Sequence, residues 1–175
     1  MTVERADGGG VLLGGNPAER LRYLVELARG AVSDSRVVSP WMPQSPLATA
    51  VRISLLTVQG LPYVPDPPGA RDLVRDPWET SEIGGDCEDL AVLLGVYLTR
   101  LRVRWDLLWM HQGESGAPLD HVTVQLRLDS QWFWADPTVR GARLGEHPYD
   151  AVERLGVDGH RLTGRALGRG LRPVR

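Results

Sequence analysis

Apolar positions change their period more than once along this chain. From Leu21 they recur at helical spacing, as Leu21, Leu24, Val25, Ala28 and Val32. Asn16-Pro17 just ahead reads as an N-cap followed by the first helical residue. A Pro-rich stretch from Pro40 to Pro46 interrupts the pattern. Leu47, Ala48, Val51, Leu55 and Val58 then share one face of a second helix, opened by Ser45-Pro46. Residues 61–86 carry Pro62, Pro65, Pro67, Pro68 and Pro77, which allow neither a long helix nor a central strand. They predict an extended surface segment with one short turn near Asp72–Arg75, ended by Gly84-Gly85.

The strongest helical signal follows. Asp86 is a good N-cap, Cys87 falls at N1, and the acids Glu88 and Asp89 lie in the first turn. Leu90, Leu93, Leu94, Tyr97, Leu98 and Leu101 form a nearly uninterrupted stripe, which predicts a central, buried helix. Beyond it the period shortens to two. Val103 to Met110 reads as a strand, and His111 to Asp120, with two glycines and a proline, as a flexible loop. His121 to Leu128 alternates with Val122, Val124, Leu126 and Leu128 on one face. Asp129-Ser130 is a turn, and Gln131 to Asp136 is the return strand. Helices first and an antiparallel meander afterwards give an α+β fold. The expected organisation is a flexible Gly-rich N-terminus over 1–15, one domain over 16–153 and a basic tail over 154–175.

Composition narrows the function classes. The chain of 175 residues is 42% hydrophobic and 24% charged, an ordinary globular balance. Its single cysteine, Cys87, excludes an internal disulfide and a multi-thiolate zinc site. The histidines show no close ligand spacing, so neither a metal nor a cofactor is expected. No apolar run spans a bilayer and none near Met1 reads as a signal peptide, so a cytoplasmic setting without membrane partners is expected. All 20 basic residues are arginine, which base composition of the gene explains. Residues 1–153 hold 21 acids and 14 arginines, a net of −7, whereas 154–175 hold one acid and six arginines, a net of +5. That tail lacks the aromatics of a nucleic-acid stacking platform, so a solvated segment offsetting an acidic body is expected.

Three residues carry the candidate chemistry. A nucleophilic cysteine works as its thiolate, and a helix start stabilises an anion, so Cys87 is expected to be a low-pKa thiol. The adjacent acids oppose this, so a base is needed. With a two-residue loop at Asp129-Ser130, Leu128 faces Gln131 and Asp136 is the diagonal neighbour of His121 on one face. A four-residue loop pairs the two directly, and an odd loop separates them. Cys87 as nucleophile, His121 as base and Asp136 as its orienting carboxylate follow the logic of a catalytic triad. The Cys87 backbone N–H is a natural oxyanion-hole donor, with Gln59, Trp41 and Trp78 as candidates for a second. Asp86, Trp134 and His111 are candidate cleft residues.

These residues resemble a family. Gly85-Asp86-Cys87-Glu88-Asp89 leading into an apolar helix, His121-Val122 on a strand and Trp134-Ala135-Asp136-Pro137-Thr138 are similar to the transglutaminase-like superfamily. The match is to its small bacterial and tailed-phage members with a Gly-Asp-Cys-acid-Asp signature. Tyr63-Val64-Pro65-Asp66-Pro67 resembles the segment preceding their cysteine. The resemblance covers residues 45–145 and leaves the first helix and the tail aside. It implies a papain-like α+β core with the cysteine on a central helix packed on an antiparallel sheet. It also implies metal-free acyl transfer at peptide-like amides through a thioester, by hydrolysis as a peptidase or amidase, or by transamidation. The implied partner is a peptide or protein substrate. The alternative is a non-catalytic binding or assembly module, such as a phage-related component, that keeps the fold.

Overall fold

The computed structural model describes residues 1–6, 10–41, 43–67, 73–111, 121–146, 153–156 and 161–162. Two strands open it, β1 (Thr2–Arg5) and β2 (Val11–Gly14). Helix α1 (Pro17–Gly30) follows, then a single 3-10 turn over Ala31–Ser33 and α2 (Leu47–Gln59). Next come β3 (Leu73–Val74), the short α3 (Pro77–Ile83) and α4 (Cys87–Arg100). Then come β4 (Arg104–His111), β5 (His121–Leu128), β6 (Gln131–Ala135), β7 (Glu153–Gly156) and β8 (Arg161–Leu162). The fold is α+β, with two antiparallel sheets ordered β1-β2-β3 and β6-β5-β4-β7-β8.

Helix α4 is the centre. Every residue from Asp89 to Leu98 is buried, so the apolar stripe read from the sequence widens to the whole circumference. One side packs on Val122, Val124, Leu126 and Leu128 of β5, and other sides meet α1, α2 and α3. Gly95 makes room for this crowding, because a Cβ there would meet the Trp105 ring at 2.5 Å. At its far end, Arg100 reaches back to the carbonyls of Val32, Asp34 and Val37, which locks the end of α1 to the end of α4.

Three expectations change. The N-terminal segment read as flexible forms the β1–β2 hairpin, because Val11 and Leu12 gain partners in β3, some sixty residues away, and Leu13 is buried. The Pro-rich stretch contains α3. Asp76 accepts from the Trp78 amide as N-cap, and Pro77 occupies N1, where its missing N–H costs nothing. The segment read as a basic tail begins inside the large sheet, with Glu153–Gly156 beside β4 and Arg161–Leu162 at the edge. The loop at Gly113–Pro118 and the arginines from Arg165 onward lie outside the described residues.

Candidate active site

The β5–β6 hairpin turns through Asp129 and Ser130, both at positive φ (47° and 67°), the geometry that matches the twist of paired strands. Leu128 therefore faces Gln131, and the ladder runs to Val124 opposite Ala135. Past that pair the strands part, and His121 and Asp136 close the gap on one face. His121 Nε2 lies 2.9 Å from Asp136 Oδ2. Thr138 completes the carboxylate's coordination, donating to Oδ1 from its amide at 2.9 Å and from its hydroxyl at 2.7 Å. Burial alone would raise the Asp136 carboxyl. The His121 hydrogen bond and charge and the two Thr138 donors outweigh it and hold the group below the usual carboxylate value.

Cys87 sits at N1 of α4 under a reciprocal capping box. The Asp86 carboxylate accepts from the amides of Glu88 and Asp89, and the Asp89 carboxylate accepts from the Asp86 amide. That cap does not use the Cys87 N–H. Asp89, wholly buried, also takes the Arg75 amide at 2.7 Å and its guanidinium at 2.5 Å. The second acid of the motif is thus a structural anchor for the helix start.

The thiol itself departs from expectation. Cys87 is only 7% exposed, and its Sγ donates to Glu88 Oε2 at 3.0 Å. Burial, the charges of Glu88 and Asp86 and that hydrogen bond push the thiol well above its ordinary value. A hydrogen bond from the Val122 backbone works the other way. The low-pKa thiol inferred from the helix start is therefore wrong for this resting state, because acids and burial outweigh the N-terminal dipole. The same Val122 contact places the sulfur against the residue that follows His121 in β5. Glu88 is held in turn by Arg20 of α1, at 3.3 Å, and the Arg20 guanidinium lies 4.7 Å over the Trp109 ring. Asp86, Cys87 and Glu88 offer ligand atoms within 4.8 Å of one another. Both backbone amides bond to Asp86 Oδ1, and the thiol donates to Glu88 Oε2.

No family model matches the sequence, and no curated protein matches it. Solved structures do. A candidate protease from Parabacteroides distasonis superposes with a TM-score of 0.61 at 15% identity, over 83% of this chain and 30% of that one. The two share a fold. The chain spans under a third of that relative's length. A candidate cysteine protease from Cytophaga hutchinsonii aligns more loosely, with a TM-score of 0.44 at 16% identity over 73% of this chain and 40% of that one. Legionella pneumophila LapG does so at 0.47 and 16%, over 71% of this chain and 75% of that one.

The other sequence candidates are spent on other partners, remote from the cysteine, or buried. Gln59 is 4% exposed and spends its side-chain amide on the carbonyls of Asp136 (3.0 Å) and Ala142 (3.1 Å). Its remaining Oε1 is an acceptor and cannot hold an oxyanion, so Gln59 is a clamp on the Asp136 backbone. Trp41 packs edge-on against Tyr97, ten residues and about 15 Å along α4 from Cys87. Trp78 lies under the Arg36 guanidinium, which Asp34 holds, and the Asp34 carbonyl takes Arg100 at the opposite end of α4 from Cys87. Trp134 is 1% exposed and no cleft wall, because the pleat turns it inward opposite buried Gln125. Asp86 is likewise buried as the helix cap. His111 is the last residue of β4, and its side chain lies outside the described residues.

Sequence reasoning overlooked Arg20 altogether, and it missed that Glu88 accepts the thiol proton and that Thr138 donates to the Asp136 carboxylate. For Thr138 a signal existed, since Asp-Pro-Thr is a sequence in which the carboxylate caps the amide two residues on. For Arg20, 68 residues from Glu88, no local signal could have served.

Proposed function

We propose that the protein is a cysteine-dependent acyl-transfer enzyme that cleaves peptide-like amides by hydrolysis. The observation that carries this reading is the His121–Asp136 pair at 2.9 Å on the same hairpin whose Val122 backbone meets the Cys87 sulfur. With Nε2 committed to Asp136, Nδ1 is the nitrogen through which the imidazole takes the thiol proton. Because the thiol rests protonated, proton transfer accompanies attack. The S–H proton passes to His121 as Sγ bonds to the carbonyl carbon, and the carbonyl π electrons move to oxygen. The intermediate collapses, the C–N bond breaks, and the departing amine takes the proton from the imidazolium. A thioester on Cys87 remains. His121 then deprotonates water, which attacks the thioester and releases a carboxylic acid and the thiol. Asp136, held ionised by His121 and Thr138 and fixed in place by Gln59's grip on its backbone, stabilises the imidazolium in both halves.

The experiment is cleavage of a mixed peptide library followed by mass spectrometry. The intact chain should open peptide bonds or hydrolyse side-chain amides, with water and not an added amine as acyl acceptor. Cys87→Ala and His121→Ala should do neither. Transfer to the added amine would replace hydrolysis by transamidation. An intact chain that leaves the library unchanged and forms no acyl adduct on Cys87 would return the reading to a non-catalytic module.

A further inference from the structure

The site has half an oxyanion hole. The Cys87 N–H is left over by the capping box, but Gln59, Trp41 and Trp78 are spent or remote. Another residue is tied by its backbone close to the nucleophile. Residues 62–64 run alongside 84–85 as an isolated parallel bridge, with Val64 N–H donating to Gly85 O at 2.9 Å and Gly85 N–H to Pro62 O at 3.2 Å. Gly84 permits this approach, because at φ 85° it adopts a conformation that L side chains rarely take, and any Cβ would collide with the Pro62 carbonyl. Tyr63 is thereby fixed opposite Gly85, about 5 Å across the bridge and two residues from Cys87. It is 56% exposed in a neighbourhood where Gly84 to Cys87 are buried. Among the described residues its hydroxyl has no hydrogen-bond partner.

We infer that Tyr63 is a catalytic residue: its phenol hydroxyl donates to the acyl carbonyl oxygen as Cys87 adds, completing the hole begun by the Cys87 backbone N–H. This rests on the acyl-transfer reading above. Two features fit the role. Partial burial and the charges of Cys87, Asp86, Glu88 and Asp66 push the phenol up to about 12, so it stays a donor throughout the working range. Its bridge to Gly85 is made by backbone alone, so the side chain is free to serve a ligand. The step makes or breaks no covalent bond at Tyr63. The O–H hydrogen bond strengthens as negative charge gathers on the carbonyl oxygen, and the phenol keeps its proton.

The test compares two reactions of the same thiol. Alkylation by iodoacetamide proceeds without an oxyanion, whereas acylation by p-nitrophenyl acetate passes through one. Tyr63→Phe, which keeps the ring and the backbone bridge, should leave the alkylation rate within about twofold. It should slow acylation by on the order of 10²-fold, the usual cost of one oxyanion donor. Acylation by Tyr63→Phe at the wild-type rate overturns the assignment. So does an equal fall in both reactions, because Tyr63 would then act through the thiol and not the carbonyl. In either case a wild-type chain that still acylates leaves the acyl-transfer reading standing. A wild-type chain that alkylates but never acylates overturns both.

Discussion

Glu88→Gln should make the Cys87 thiol easier to ionise. In the resting site the Glu88 carboxylate accepts the thiol proton at 3.0 Å, and both charge and hydrogen bond favour the neutral sulfur. A carboxylate and a thiolate about 4 Å apart repel by ~4 kcal/mol at an effective dielectric of 20 and ~1 kcal/mol in bulk water. The Glu88 side chain is 12% exposed, which argues for a value between these limits, and Arg20 at 3.3 Å cancels part of the charge. A net effect of about 1.4–3 kcal/mol is one to two pH units. Glutamine keeps the shape and removes the charge, so the thiol value should fall by that amount. At pH 7 iodoacetamide should then react roughly tenfold faster or more, since one pH unit is a factor of ten in thiolate. The assay is the alkylation rate against pH, followed by intact mass. Arg20→Gln should move the midpoint upward, because it exposes the thiolate to the full Glu88 charge. A Glu88→Gln midpoint at or above the wild-type value would refute this account of the resting thiol.

Asp89→Asn should destabilise the fold by about 3 kcal/mol or more in denaturant titration, because it leaves the buried Arg75 guanidinium short of its main counter-charge. Gly95→Ala should cost about 1–3 kcal/mol in the same assay, since its methyl must displace the Trp105 ring, which is also anchored by an indole N–H to Thr99 Oγ1 at 2.8 Å. Asp136 contributes to acid behaviour with a definite sign. Its folded value lies below the unfolded one, so its stabilisation is present above about pH 4 and lost as pH falls through the folded value. The stability gap between wild type and Asp136→Asn should therefore narrow on acidification in pH-dependent thermal melts, and a gap that widens would contradict the ordering.

The elements with local signals were legible in the residues. Asn16-Pro17 and Asp86 mark their helix starts through capping chemistry that spans three or four positions. Asp129-Ser130 places Asp136 beside His121 through the parity of a two-residue turn. What stayed hidden depends on partners distant in sequence. Pairing of Val11 and Leu12 with Val74 and Leu73 turned a Gly-rich start into sheet. Gln59 looked like a donor until its amide met two carbonyls some eighty residues on. The protonated thiol was missed because the helix dipole is a local quantity, whereas burial and the Arg20–Glu88 geometry are products of packing. Asp76-Pro77 was different, a local helix start masked by the prolines around it.

The Arg75–Asp89 anchor also has a meaning for anyone trimming or fusing the chain at its front. Arg75 directly follows Val74, the last residue of β3, and β3 pairs only with β2 among the described residues. The amino-terminal hairpin and the nucleophile's helix are therefore joined through a short mechanical linkage. Deleting Thr2–Gly14 would leave β3 without its strand partner and slacken the residue that Asp89 grips. Edits made far from Cys87 in sequence would then be read out as altered thiol reactivity.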